Sequence, residues 1–149
     1  MDEKAYNYAV RLLTLKMRTV GELQQKLKQK GFSNPVILEV VRKLEELDFV
    51  NDERYTQIFV ENLKQYRDFG FYMIRNKLHQ KRVPTDIAEK VLQEFFSGED
   101  ELALARRFVK KLKRLGRKDY NQLARSLNSK GYHMDVIHEV LREVFSKSP

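Results

Sequence analysis

The stretch Val36-Ile37-Leu38-Glu39-Val40-Val41-Arg42-Lys43-Leu44 returns as Ile87-Ala88-Glu89-Lys90-Val91-Leu92-Gln93-Glu94-Phe95, and again as Val136-Ile137-His138-Glu139-Val140-Leu141-Arg142-Glu143-Val144. Each time the apolar residues fall at the first, second, fifth, sixth and ninth positions, the spacing of one buried face on an α-helix. Shifts of 51 and then 49 residues make this superposition and bring two earlier blocks into register without gaps. Ala5, Tyr8, Ala9, Leu12 and Leu15 fall on Thr56, Phe59, Val60, Leu63 and Tyr66, then on Ala105, Phe108, Val109, Leu112 and Leu115. Val20, Leu23 and Leu27 fall on Phe71, Ile74 and Leu78, then on Tyr120, Leu123 and Leu127. Three amphipathic helices therefore recur three times, the pattern of modules that complete their cores by stacking.

The expected fold is all-α: three tandem three-helix repeats over residues 1–50, 51–98 and 99–149, stacked into an elongated array, straight or curved. A repeat of about 50 residues holds only a small core and gains stability from its neighbours. The alternative is a single compact bundle in which the periodicity records only core-facing helices. Turn chemistry at equivalent positions favours the repeat. Thr19 and Glu22 read as the N-cap and N3 of a capping box, and Asp119 with Gln122 repeats it. Gly31 and Gly131 stand where a left-handed residue ends the second helix. Arg82 occupies that place in the middle repeat, so that turn is either strained or differently shaped. Asn34 followed by Pro35 reads as an N-cap with proline at the first helical position.

Composition narrows the function classes. Six glycines and three prolines in 149 residues are too few for a turn-dense β-sandwich or a disordered linker protein. The absence of cysteine rules out a disulfide framework, a cysteine metal site and a thiol nucleophile, and it fits a reducing, cytoplasmic setting. Two acids among the first three residues do not make a signal peptide, and no apolar stretch approaches a membrane span. His79, His133 and His138 never pair at the spacing of two ligands on one helical face. The acidic segment from Asp48 to Glu53 lacks the alternating ligands and central glycine of a calcium loop, and Gly70 stands alone rather than in a phosphate loop. Serines 33, 97, 126, 129, 146 and 148 sit in no nucleophile motif. The reading is of a protein with no enzymatic activity, no metal and no cofactor.

Charge points to a partner instead. The net charge is +8, and residues 101–149 carry 12 bases against 5 acids, which is +7 of it. Arg106, Lys110, Lys113 and Arg117 form one helical stripe, with Arg107, Lys111, Arg114 and Lys118 beside it: eight bases in thirteen residues with no acid. Such a run is ordinarily a solvated face. At this density it also suits phosphates or an acidic protein surface. Smaller basic sets lie on the second helices, Lys26, Lys28 and Lys30 in the first repeat and Arg75, Lys77, Lys81 and Arg82 in the second. Tyr6, Tyr55, Phe69 and Tyr72 offer base stacking as one role, but aromatics at helical spacing more often belong to a core, and that reading is preferred.

Val50-Asn51-Asp52-Glu53-Arg54-Tyr55 followed by Phe59 resembles the apolar-[Asp/Asn]-Asp-x-Arg-[Phe/Tyr] signature of the RecX family, bacterial regulators of the RecA recombinase. Gly70 through Ile74, Leu78 and Lys81 is similar to a second family segment, which Glu22, Leu23, Leu27, Lys30, Gly31 and Phe32 echo. Arg82, Asp68 and Tyr72 depart from that segment, where glycine, glycine and proline are common. The resemblance covers nearly the whole chain. It implies three tandem three-helix repeats lying in the groove of a RecA filament on DNA, with suppression of RecA's ATPase, strand-exchange and coprotease activities in recombination, repair and the SOS response. It implies no catalytic residue.

The contacts expected from the charge distribution are residues 106–118 against DNA phosphate or acidic recombinase surface, with Arg54, Arg75, Lys77, Lys81 and Arg82 orienting the middle repeat. DNA would be held by its backbone rather than read by sequence, and the protein is expected to act as a monomer. For Arg54, ion pairs with its neighbours are an equal alternative. A stand-alone nucleic-acid-binding repeat protein, or an adaptor for another acidic protein, would have the same charge pattern.

Overall fold

The computed structural model describes residues 1–146; Ser148 and the end of the third expected repeat lie outside the described residues. Among the described residues the chain forms nine helices and no strand. They are α1 (Glu3–Leu15), α2 (Val20–Lys30), α3 (Asn34–Glu46), α4 (Asp52–Tyr66), α5 (Phe71–Gln80), α6 (Thr85–Phe95), α7 (Gly98–Arg114), α8 (Tyr120–Ser129) and α9 (Met134–Phe145). The chain divides into two compact units, Met1–Ile58 with Leu78–Ala88, and Phe59–Lys77 with Glu89 onward. The division runs through α4, α5 and α6, so the middle three helices contribute residues to both units.

The first unit buries Ala5, Ala9 and Leu12 of α1, Leu23 and Leu27 of α2, and Ile37, Val40, Val41 and Leu44 of α3 around one core. These are the residues that the three- and four-residue spacings select. Asp2 caps α1, and the full capping box at Thr19 and Glu22 opens α2. The second unit buries Leu104, Ala105, Phe108, Val109 and Leu112 of α7, Leu123 and Leu127 of α8, and Ile137, Val140 and Leu141 of α9. Asp119 accepts the Gln122 N–H at α8.

The helix-ending turn is the same in all three places. Phe32 N donates to Leu27 O, Val83 N to Leu78 O and Tyr132 N to Leu127 O, each closing the turn over a left-handed residue. That residue is Gly31 at φ 104°, Arg82 at φ 63° and Gly131 at φ 84°. Arg82 therefore accepts the strained conformation rather than changing the turn, and its Nε donates to Gln25 Oε1 at 3.0 Å.

Three sequence expectations are corrected. Leu15, Tyr66 and Leu115, assigned to the core face, are 74%, 71% and 68% exposed, because the first helix of each group ends at or next to that position. The cap of α3 is Ser33 rather than Asn34: the ladder begins with Ile37 N on Ser33 O, and Pro35 falls one residue further into the helix. Arg117 and Lys118 do not continue the α7 stripes, since the helix ends at Arg114 and Gly116 turns the chain at φ 87°.

Candidate functional site

Helix α7 opens on a capping box between Ser97 and Asp100, carries Glu99, Asp100 and Glu101 in its first turn and ends on Lys111, Lys113 and Arg114. This polarity complements the helix dipole, so part of the basic density serves the helix itself. The remainder separates into two faces. On one, Arg107 Nε donates to Asp68 at 3.0 Å and its terminal nitrogen to Arg67 O at 2.7 Å, while Lys111 Nζ lies 3.5 Å from Asp68. These two cations hold the α4–α5 loop. Tyr132 supports the same loop, its hydroxyl donating to Asp68 O at 2.7 Å.

On the other face, α7 and α9 border a cleft of about 570 Å³ floored by Val109, Val140 and Val144. Lys110, Lys113, Arg114 and Lys118 line it, and a forked Arg106–Glu143 pair crosses it. The hydrogen bond from Arg106 holds the Glu143 carboxyl below its usual range. Among the described residues no carboxylate lies within ion-pair distance of Lys110, Lys113, Arg114, Arg117 or Lys118. All five are exposed. The arrangement is an apolar-floored trough with Lys110, Lys113, Arg114 and Lys118 open along its rim, a charge pattern that suits a polyanion.

The remaining candidate residues have local partners. Arg54 donates to Asp48 Oδ2 at 2.6 Å and to Asp48 O at 3.0 Å, across a turn in which Asp48 is left-handed. Arg75 lies over the rings of Phe71 and Tyr72, and Lys77 over Phe69. Lys81 offers its carbonyl to Thr19 Oγ1 at 2.7 Å, and Arg82 packs on Gly21. Lys81 and Arg82 belong to the first unit, and Arg75 and Lys77 to the second.

Two buried carboxylates were not singled out in the sequence as site residues. Asp52 accepts the Val20 N–H at 2.8 Å, and Glu101, only 1% exposed, accepts the Phe71 N–H at 2.6 Å. The signal was present: the 49-residue shift that aligns the repeats places Asp52 on Glu101, and 51 residues separate Val20 from Phe71. The residues around Asp52 then have roles of their own. Val50 and Tyr55 are buried, Asn51 Oδ1 caps Arg54 N, and Arg54 holds Asp48.

The family model for the first three-helix domain of RecX matches residues 5–44, and that for the second matches residues 51–92. The chain belongs to the RecX family. The regulatory protein RecX of Caldanaerobacter subterraneus subsp. tengcongensis is 37% identical over 93% of this chain and 70% of its own length. The RecX protein of Prosthecochloris aestuarii is 30% identical over 96% and 95%. A crystal structure of RecX from Lactobacillus salivarius superposes with a TM-score of 0.87 at 26% identity, covering 95% of both chains. RecX relatives are thus regulatory proteins by name, and the all-helical fold is theirs. Among the described residues of this family member, no helix is long and apolar enough to cross a membrane, and no cluster of three metal-ligating side chains is present.

Proposed function

We propose that this chain binds the RecA filament on DNA and suppresses its ATPase, strand-exchange and coprotease activities, acting as a cytoplasmic monomer without catalysis of its own. Membership of a family of regulatory proteins supports the regulatory part. The observation that carries the binding part is the α7–α9 trough, where Lys110, Lys113, Arg114 and Lys118 have no carboxylate within ion-pair distance among the described residues. A polyanion, either DNA phosphate or acidic recombinase surface, would supply the missing charge.

The reading also takes residues 1–50, 51–98 and 99–149 as three repeats. The matching junctions support it: Val20 with Asp52, and Phe71 with Glu101, join equivalent positions of successive repeats. Several repeats engaging neighbouring protomers would add weak contacts through effective concentration, so binding would favour assembled filament over free subunits.

The test is ATP hydrolysis by RecA on single-stranded DNA, titrated with this protein at a salt concentration where it barely binds naked DNA. Inhibition at substoichiometric ratios is the expected result. Strong naked-DNA binding with no inhibition would instead make it a stand-alone nucleic-acid-binding protein.

A further inference from the structure

The aromatic side chains that sequence patterning leaves in the core do not share one environment. Tyr55 is buried, as its spacing suggests, whereas Tyr72 is 46% exposed on the first turn of α5. Its ring centroid lies 4.7 Å from that of His133, and His133 stacks on Phe71 at 4.5 Å with an interplanar angle of 29°. The Arg75 guanidinium sits 5.2 Å from the Tyr72 centroid and 5.5 Å from that of Phe71. His133 is fixed from behind, its Nδ1 2.8 Å from Glu101 Oε1.

We infer that Tyr72, His133 and Arg75 form a stacking site for the unpaired bases of single-stranded DNA. The rings are held in place before any ligand arrives, so little side-chain freedom is lost on binding. Aromatic faces beside a guanidinium match a chain that alternates flat bases with phosphates. The neighbouring cations extend this match: Lys77 and Lys130 lie over Phe69 at 5.7 and 5.5 Å. Two acids beside these rings are already engaged. Glu101 is buried beneath His133, and the Asp68 carboxylate is held by Arg107 and Lys111. A duplex keeps its base faces inside its own stack and could not use the site. An acidic protein surface would meet the charge but leave the rings unmatched. The inference rests on the nucleic-acid part of the proposed function and names the form of DNA that this surface prefers.

The test uses the full chain and two end-labelled strands of about 20 nucleotides, one of oligothymidine and one abasic throughout, so that charge is equal and bases are absent from one. Anisotropy titration should give affinity for oligothymidine at least about fivefold above that for the abasic strand. Tyr72→Ala should lower oligothymidine affinity by about tenfold and leave the abasic affinity unchanged, while Tyr72→Phe keeps the affinity within about twofold. Equal affinities for the two strands, an unaffected Tyr72→Ala variant, an equal loss on both strands, or no measurable oligothymidine binding at low salt would each overturn the site. RecA ATPase inhibition measured alongside keeps the readings apart. Inhibition with no stacking signature sinks this site alone, and a stacking signature without inhibition sinks only the RecA reading.

Discussion

The backbone N–H of Val20 donates to the carboxylate of Asp52 at 2.8 Å, so a side chain on α4 satisfies the first amide of α2. Phe71 and Glu101 make the same bond between α7 and α5 at 2.6 Å. A helix N-terminus has free N–H groups and a partial positive charge, and a buried carboxylate answers both. The turn residues join at the same junctions: Thr19 Oγ1 donates to Lys81 O, and Gly70 N to Lys130 O at 2.8 Å. Glycine is required where backbones approach, since a Cβ on Gly70 would lie 2.5 Å from the Tyr132 backbone.

Removing the Glu101 carboxylate should therefore be costly. Glu101→Ala leaves the part-buried Phe71 N–H without its acceptor and should destabilise the protein by about 1–3 kcal/mol in urea unfolding. Glu101→Gln keeps an acceptor oxygen in place and should cost about half as much. Equal losses for the two variants would show that side-chain volume, not the hydrogen bond, supports the junction.

Asp52 makes the pH dependence of its junction testable. Burial raises its carboxyl above the ordinary 3.8, against the lowering effect of the Val20 N–H and with a smaller upward push from Glu22. A raised native value means that the folded state holds the proton more tightly than the unfolded chain. The contribution of Asp52 is thus full below 3.8 and is lost as pH climbs through the native value. The stability of wild type minus that of Asp52→Asn should fall as pH rises from about 3 to about 7, read by chemical denaturation at each pH. A difference that grows over this range would refute the assignment.

Gly21 and Arg82 should be coupled. A Cβ at Gly21 would come within 2.6 Å of Arg82 Cβ and 3.0 Å of Arg82 O. The helix-propensity gain of about 1 kcal/mol for Gly21→Ala should be outweighed by overpacking of about 1–3 kcal/mol. Arg82→Gly alone removes left-handed strain of about 1–2 kcal/mol but adds chain entropy to the unfolded state, so a net gain of about 0.5–1 kcal/mol is expected. In that background the cost of Gly21→Ala should shrink without vanishing, because the carbonyl remains. Strict additivity in the double-mutant cycle would place the strain elsewhere.

The two faces of α7 should respond differently to charge reversal. Lys110→Glu with Lys113→Glu alters the open rim of the trough and should weaken DNA and filament binding, with the thermal midpoint little changed. The slope of log affinity against log salt should flatten by about 0.9 for each duplex phosphate that is no longer neutralised. Arg107→Glu instead places an acid against Asp68 and should lower the melting temperature through the α4–α5 loop, leaving that slope nearly intact. The opposite pattern would exchange the roles of the two faces.

Much of this protein is determined by its sequence alone. The positions of the helices among the described residues, the buried faces at Ile37, Val40 and Val41 and at Ile137, Val140 and Leu141, and the capping box at Thr19 all follow from spacing and local hydrogen-bond chemistry, which act within a few residues. The family is also legible there, in the string from Val50 to Tyr55. Tertiary structure decided what local spacing cannot encode. It turned Leu15, Tyr66 and Leu115 out to solvent and set Arg107 and Lys111 on a loop while Lys110 and Lys113 stayed open. It also buried Tyr55 but left Tyr72 exposed, and it gave Asp52 and Glu101 their partners 32 and 30 residues away in sequence. Whether a charge is spent on a neighbour or left for a ligand depends on which backbone amide or carboxylate the fold brings beside it, and helical periodicity carries no record of that distance.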